Sequence, residues 1–196
     1  MKRVRIFTSG IPTVGELEKE LKRTRHRHWF RNIWHLVLFL LAAAVLAVVV
    51  AAVFFLPARR MQDNSMLPTL PEGSISLTIR DSEPGRGDVV AFQGADRVQI
   101  RRMIADEGDW VDIDRNGNVF VNNELQEEPY VRDKTLGECD IAFPYQVPEN
   151  SIFVLGDHRS AAVDSRQEEM GCVPKDQILG KLVLTVWPLT KIGLAS

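Results

Sequence analysis

Ser65 stands in the stretch DNSMLPTL, Asp63 to Leu70, where a serine keeps company with Met, Pro and Thr. Pro fixes one backbone dihedral and hydroxyls bond nearby backbone, so this composition suits a plain turn. The same hydroxyl is a weak nucleophile that becomes a strong one when a neighbouring base removes its proton. His158, which follows Asp157 in GDHRSAAVDSR (156–166), offers an imidazole with a pKa near about 6.5 and is one candidate for that base. Lys134, Lys175, Lys181 and Lys191 lie outside the motif-like stretches and read as solvated surface charges. With two Cys and four His, three of those His at positions 26, 28 and 35, no metal set can be assembled. No cofactor and no nucleic acid partner is expected.

These candidate groups follow a long apolar run. Leu36 to Leu56 holds 21 uncharged apolar residues, which as a helix reach roughly 30 Å, the thickness of a bilayer core. Trp29 and Trp34 stand at its front edge and Arg59 and Arg60 just past its end, as expected at membrane interfaces. A cleavable leader would have a shorter apolar run nearer the N-terminus and a small-x-small site, which FFLPARR lacks, so the run is read as an uncleaved anchor. The expected division is a basic tail (1–34), a transmembrane helix (35–57) and an outer domain (58–196).

Charge sets the expected orientation. Residues 1–35 carry nine Lys or Arg against three Glu, net +6, and residues 57–196 carry fifteen against twenty-three, net −8. The tail is expected in the cytoplasm and the acidic domain across the plasma membrane, in a single-pass arrangement. TVGELEKELKRTR reads as a short solvated helix with a capping box from Thr13 to Glu16 and an i,i+4 pair from Glu18 to Lys22. The Lys/Arg cluster at 22–31 could also attract anionic membrane lipids. Cys139 and Cys172 both fall in the outer domain, a compartment that permits a disulfide, with two free buried thiols as the alternative.

Past Pro57 the pattern changes to short β-branched runs: GSISLTIR, GDVVAF, DRVQIRRMI, DWVDI, GNVFVN, SIFVLG and GKLVLTVW. Gly, Asn, Asp and Pro separate them, and Asn-Gly in DRNGN is expected to form a tight hairpin tip with positive φ at both central positions. The fold class is mainly β: an antiparallel sandwich or partly closed barrel behind one N-terminal transmembrane helix.

An apolar anchor followed by SMLPT (65–69), GDVVAF (87–92), RRMIADEGD (101–109), EPY (128–130) and GDHRSAAVDSR (156–166) resembles the type I signal peptidases. The resemblance covers nearly everything after Pro57. It implies a membrane-anchored Ser–Lys serine endopeptidase, a hydrolase that removes signal peptides from exported proteins during secretion. It makes Ser65 the nucleophile, with its backbone N–H helping to stabilise the oxyanion. It puts the family's lysine base at position 101, where this chain has Arg101, followed by Arg102. A guanidinium stays protonated under burial and cannot accept the Ser65 proton. Ala162 stands where the family commonly has a serine that orients the amine, and Ala105 and Glu107 replace a Gly and a Pro. Met66, Pro68, Thr69, Gly156, Asp157, Arg159, Asp164 and Arg166 match.

Of the matched residues, Asp164 and Arg166 suit a buried structural ion pair, Gly87 and Asp88 a turn into the next strand, and Met66 packing at a membrane-facing surface. The substrate implied is the extended end of a signal peptide with small residues before the cut, held by strand addition. Two functions from different classes fit: a signal peptidase with an altered dyad, and a catalytically silent homologue that assists assembly of exported or pilus-type proteins. A plain membrane-anchored β domain is the third. Sequence leaves the oligomeric state open.

Overall fold

The computed structural model describes residues 14–80 and 82–194. The chain divides into two compact units, Met1–Ala51 and Ala52–Ser196. Helix α1 (Val14–Phe55, 42 residues), which fills the described part of the first unit and ends four residues into the second, is continuous, so the tail helix and the apolar run that the sequence presents as separate pieces are one element. Its stretch Asn32–Ala51 has a mean hydropathy of 2.8 and no residue buried within the chain's own fold. A helix apolar on all sides and twenty residues long fits a single-pass membrane protein. Thr13 lies outside the described residues, as does the Lys22 side chain, and with them the proposed cap and pair.

The second unit is β, with every strand pairing antiparallel. Strands β1 (Ala58–Arg60), β2 (Ile75–Ile79), β3 (Val89–Gln93), β4 (Val98–Ala105), β5 (Trp110–Ile113) and β6 (Val119–Val121) come first. They are followed by β7 (Glu124–Leu125), β8 (Tyr145–Gln146), β9 (Ser151–Leu155), β10 (Val173–Pro174), β11 (Ile178–Trp187) and β12 (Gly193–Leu194). The larger sheet runs β1-β2-β11-β3-β4-β9-β10 with β12 on β11, and the smaller runs β7-β6-β5-β8. It is no closed barrel.

Burial explains the patterns. Val89 and Ala91 of β3 pack with Met61, Met66, Leu70, Ile100 and Leu182, whereas Val90 and Phe92 pack on the other face with Met103, Ile152 and Val154. Both faces are covered, so VVAF reads as an unbroken apolar run rather than an alternating one. Phe153 and Leu155 join Val111, Ile113, Val119 and Val121 in a third cluster that ties the smaller sheet to β4 and β9. Met66, fully buried in the first of these clusters, is part of the core and not a membrane-facing contact. Full burial of such a side chain contributes about 1.5–3 kcal/mol, which pins the loop that carries Ser65.

The hairpin tip differs from expectation. Between β5 and β6 only Gly117 takes positive φ (79°), and the Asp114 carboxylate organises the loop by accepting from the N–H groups of Asn116 (2.8 Å) and Asn118 (2.9 Å). The two-residue turn with positive φ at both positions lies between β6 and β7, at Asn122 (53°) and Asn123 (67°). Asn tolerates that region, and a side chain that accepts backbone hydrogen bonds relieved Asn116 of the need to enter it.

Candidate active site

The loop from Met61 to Ser74 joins β1 to β2 and closes on itself through Met61 N–H to Ser74 O (2.8 Å) and Leu70 N–H to Met66 O (2.8 Å). It is fastened to the 156–166 segment through Asp157 and His158. His158 N–H donates to Ser65 O (2.9 Å), and Thr69 Oγ1 donates to Asp157 Oδ2 (2.5 Å). Gly156 is required here: a Cβ on it would lie 2.7 Å from Ser65 O and 2.3 Å from Ala162 Cβ. Ser65 itself is only 3% exposed.

The Ser65 hydroxyl donates to Asp63 Oδ1 at 2.5 Å, and the Ser65 backbone N–H donates to the same oxygen at 3.0 Å. Asp63 Oδ2 faces two guanidiniums, Arg101 Nη2 at 3.5 Å and Arg97 Nη2 at 3.4 Å. Burial pushes the Asp63 carboxyl up, but the Ser65 hydroxyl, Arg101, the Ser65 N–H and Arg97 together outweigh it and hold the group below the usual carboxylate range. Asp63 was not among the residues that the sequence pattern singled out. A carboxylate two positions before a turn serine was the available signal, because Asp characteristically accepts from the backbone two residues on.

Successive residues of β4 face opposite sides, so Arg101 and Arg102 have separate lives. Arg101, buried, donates to Val163 O (2.9 Å) and Ile100 O (2.7 Å) besides facing Asp63. Burial pulls its pKa down while Asp63 and Asp164 raise it, and an arginine remains a cation under such opposing influences. Arg102 forks onto Asp157 (2.9 and 2.7 Å), reaches Gly87 O (2.7 Å) and lies 3.8 Å above the Tyr130 ring. Behind these, Arg166 grips Asp164 with two bonds of 2.8 Å, and Arg159 holds Glu128 at 2.5 Å. Asp164 Oδ2 also accepts from Gly156 N–H at 3.0 Å, so the last motif is braced from within. Glu128, from EPY, is the buried partner that sequence did not assign.

Among the described residues the other candidates make no hydrogen bond to the hydroxyl. His158 directs Nδ1 at Asn64 O (3.2 Å), and Ala162 is a buried methyl. Lys181 pairs with Asp88 (2.8 Å), Lys175 with Asp106 (2.9 Å), and Lys191 Nζ donates to Pro68 O (3.2 Å). Among the described residues no group of His, Cys, Asp and Glu could hold a metal ion. Cys139 and Cys172 are both free thiols, half-buried, and burial pushes Cys172 up to about 11.

A cleft of about 810 Å³ opens beside Asp63 and Arg101, lined also by Gln99, Arg97, Val163 and Met170. On this side β4 has a free edge: residues 98–101 pair with β3, whereas pairing with β9 covers only Arg102 to Ala105.

Comparison with known proteins gives a consistent set. A family model described as "Signal peptidase, peptidase S26" matches residues 33–187. "Thylakoidal processing peptidase 1, chloroplastic" of Arabidopsis thaliana is 32% identical over 171 residues, 77% of this chain and 48% of its own length, so the chain spans about half of that relative. "Probable signal peptidase I-2" of Synechocystis is 31% identical over 179 residues, covering 84% of this chain and 78% of that one. "Signal peptidase I S" of Bacillus subtilis is 32% identical over 162 residues, 76% and 86% respectively. Among solved structures, a signal peptidase I from Enterococcus faecalis is 28% identical and covers 52% of this chain and 98% of that chain, with a TM-score of 0.42.

Proposed function

Because the chain belongs to the peptidase S26 family of signal peptidases, we propose that it is a membrane-anchored serine endopeptidase that removes signal peptides from exported proteins, with an altered dyad. In this reading Ser65 is the nucleophile and Arg101 occupies the position of the family's lysine. Met66, Thr69, Asp157, Asp164 and Arg166 hold the loop and the last motif together. The carrying observation is that Ser65 is fixed on both sides, with its carbonyl accepting from His158 N–H and its hydroxyl already donating to an ionised acceptor at 2.5 Å. A serine kept only for a turn has no need of such clamping to a segment ninety residues away.

The substrate is the extended C-terminal end of a signal peptide with small residues before the cut. The free edge of β4 beside the cleft supports strand addition, in which the main chain supplies affinity and shallow pockets supply selection. The net charge of +6 before the apolar helix and −8 after it supports a cytoplasmic N-terminus and an extracytoplasmic β domain in the plasma membrane.

Three observations favour the other reading, a silent homologue that binds exported or pilus-type proteins and assists their assembly. Arg101 cannot accept a proton, Ala162 offers no hydroxyl to orient a base, and Asp63 engages the Ser65 N–H that an oxyanion would need. Cleavage of a signal-peptide substrate by the full chain in detergent micelles separates the two. Cleavage that disappears with Ser65→Ala establishes the peptidase. Photo-crosslinking of the same peptide to the cleft without cleavage establishes the silent binder.

A further inference from the structure

We propose that Asp63 is the catalytic base of this site: its carboxylate takes the Ser65 proton, and Arg101 is a positioning residue that holds the carboxylate in place. The inference rests on the reading of Ser65 as the nucleophile, and its own ground is the contact geometry. The hydroxyl donates to Asp63 Oδ1 at 2.5 Å, and the acceptor's second oxygen is kept from rotating by Arg101 at 3.5 Å and Arg97 at 3.4 Å. No other side-chain acceptor is in hydrogen-bond contact with this hydroxyl among the described residues. Proton transfer needs a base within about 2.6–3.2 Å or one water away, and Asp63 meets that condition in the resting state.

The step balances. Ser65 Oγ bonds to the scissile carbonyl carbon as its proton passes to Asp63 Oδ1, and the carbonyl π pair becomes the oxyanion. The carbon–nitrogen bond then breaks, with the proton moving from Asp63 to the leaving amine. Water attacks the acyl ester, gives its proton to Asp63, and the carbon–Oγ bond breaks as Ser65 recovers that proton. Peptide and water become acid and amine, and the site is restored.

The charge traffic differs from that of an amine base. A neutral amine becomes a cation as the oxyanion forms, so two charges are created. With a carboxylate, one negative charge moves from Asp63 to the oxyanion while the Arg101 and Arg97 cations remain beside it. The same transfer weakens the hold of Oδ1 on the Ser65 N–H, and so frees a donor at the moment when a tetrahedral oxygen needs one. The cost is a weak base, because Asp63 is held below the usual carboxylate range, burial raising it and Ser65, Arg101 and Arg97 lowering it. The turnover expected is slow, and it should persist at pH values where a lysine-based site is protonated and silent. Charged or titratable groups around Asp63 are Arg97 in the β3–β4 turn, Arg101 on β4 with Asp164 acting on it, and His158, whose Nδ1 meets the backbone oxygen of Asn64 next in sequence to Asp63.

The test is kcat and KM of the full chain in detergent micelles on a synthetic signal peptide with small residues before the cut, from pH 4 to 9. The parent is expected to hold its rate from about pH 8 down to about pH 5, since a carboxylate lowered from about 3.9 stays ionised there. Asp63→Asn keeps the shape and is expected to lower kcat about 100- to 10,000-fold with KM nearly unchanged. Asp63→Glu, which keeps a carboxylate, is expected to retain part of the rate, and Arg101→Gln to move the acid limb to higher pH. Thermal unfolding of each variant separates loss of the base from loss of the fold. Asp63→Asn at the parental rate, with Ser65→Ala inactive, overturns the inference and leaves the nucleophile standing. A parent that cleaves at no pH overturns both, and cleavage that survives Ser65→Ala overturns the nucleophile.

Discussion

Putting the lysine back should not by itself restore an amine base. An amine at position 101 would sit in the place of a guanidinium whose nearest nitrogen is 3.5 Å from Asp63 Oδ2. Lysine is shorter, so its nitrogen lies roughly 4–5 Å from that carboxylate, and at an effective dielectric of about 20 the attraction is about 3–4 kcal/mol. At about 1.4 kcal/mol per pK unit this favours the ammonium by roughly 2–3 units. Burial of a residue that is 2% exposed acts in the opposite sense by up to about 3–5 units for a fully buried amine, so the two effects nearly cancel. Arg101→Lys with Ala162→Ser is therefore expected to leave the amine protonated at pH 7 and the parental pH profile unchanged. Adding Asp63→Asn removes the larger carboxylate attraction and leaves the smaller one of Asp164, lets burial lower the amine by roughly 2–3 units, and raises its neutral fraction about 100-fold. The assay is the cleavage rate of a signal peptide against pH. The triple variant should gain an alkaline limb with a midpoint near about 7–9, and a rate about 100-fold above that of Asp63→Asn alone at pH 8. An alkaline limb in the double variant, with Asp63 still present, refutes the electrostatic reasoning.

The scaffold and the thiols give further expectations. Asp157→Ala strands the buried Arg102 fork and should cost about 3–5 kcal/mol in unfolding free energy, and a cost below about 1 kcal/mol contradicts the bracing role. Gly156→Ala sets a methyl 2.7 Å from Ser65 O, so backbone must move; a loss of cleavage of at least about tenfold is expected, with overpacking of about 1–3 kcal/mol seen in unfolding. Both thiols should titrate in denaturant without reductant, and Cys172, pushed up to about 11 by burial, should alkylate far more slowly in the folded chain at pH 8 than in the unfolded one.

The seven β-branched runs all became strands, because alternation and turn residues carry that information locally. What sequence concealed were elements defined by partners: β1, β7, β8, β10 and β12, of two or three residues each, exist only because a longer strand lies alongside. The turn at Asn122–Asn123 was hidden for a similar reason, since an Asn-Asn pair is a weaker signal than the nearby Asn-Gly. At the site, Ser65, Arg101, Asp157 and Asp164 could be singled out from motif spacing. Asp63 could not, although it is in the same octapeptide. Its importance lies in a hydroxyl direction and in two arginines, one 34 and one 38 residues away, and such contacts leave no periodic trace. Glu128 and its pairing with Arg159 were concealed by a separation of 31 residues.

Four buried arginines in one small β unit need explanation, and three of them share one answer. Arg102, Arg159 and Arg166 are forked onto carboxylates that are themselves buried, an arrangement in which removing one partner leaves an uncompensated charge. Arg101 differs, because its carboxylate is partly exposed at 27% and bonds at the same time to a serine hydroxyl. A purely structural pair would have no reason to share its acceptor with a potential nucleophile.

Acid-quenched intact-mass and peptide mapping of the chain during turnover on a signal peptide gives the most direct test of where the chemistry occurs and which group starts it. An acyl adduct on Ser65 is expected in the parent, absent in Ser65→Ala and formed at least about 100-fold more slowly in Asp63→Asn. An adduct on another residue, or one that forms at the same rate without the Asp63 carboxylate, would contradict it.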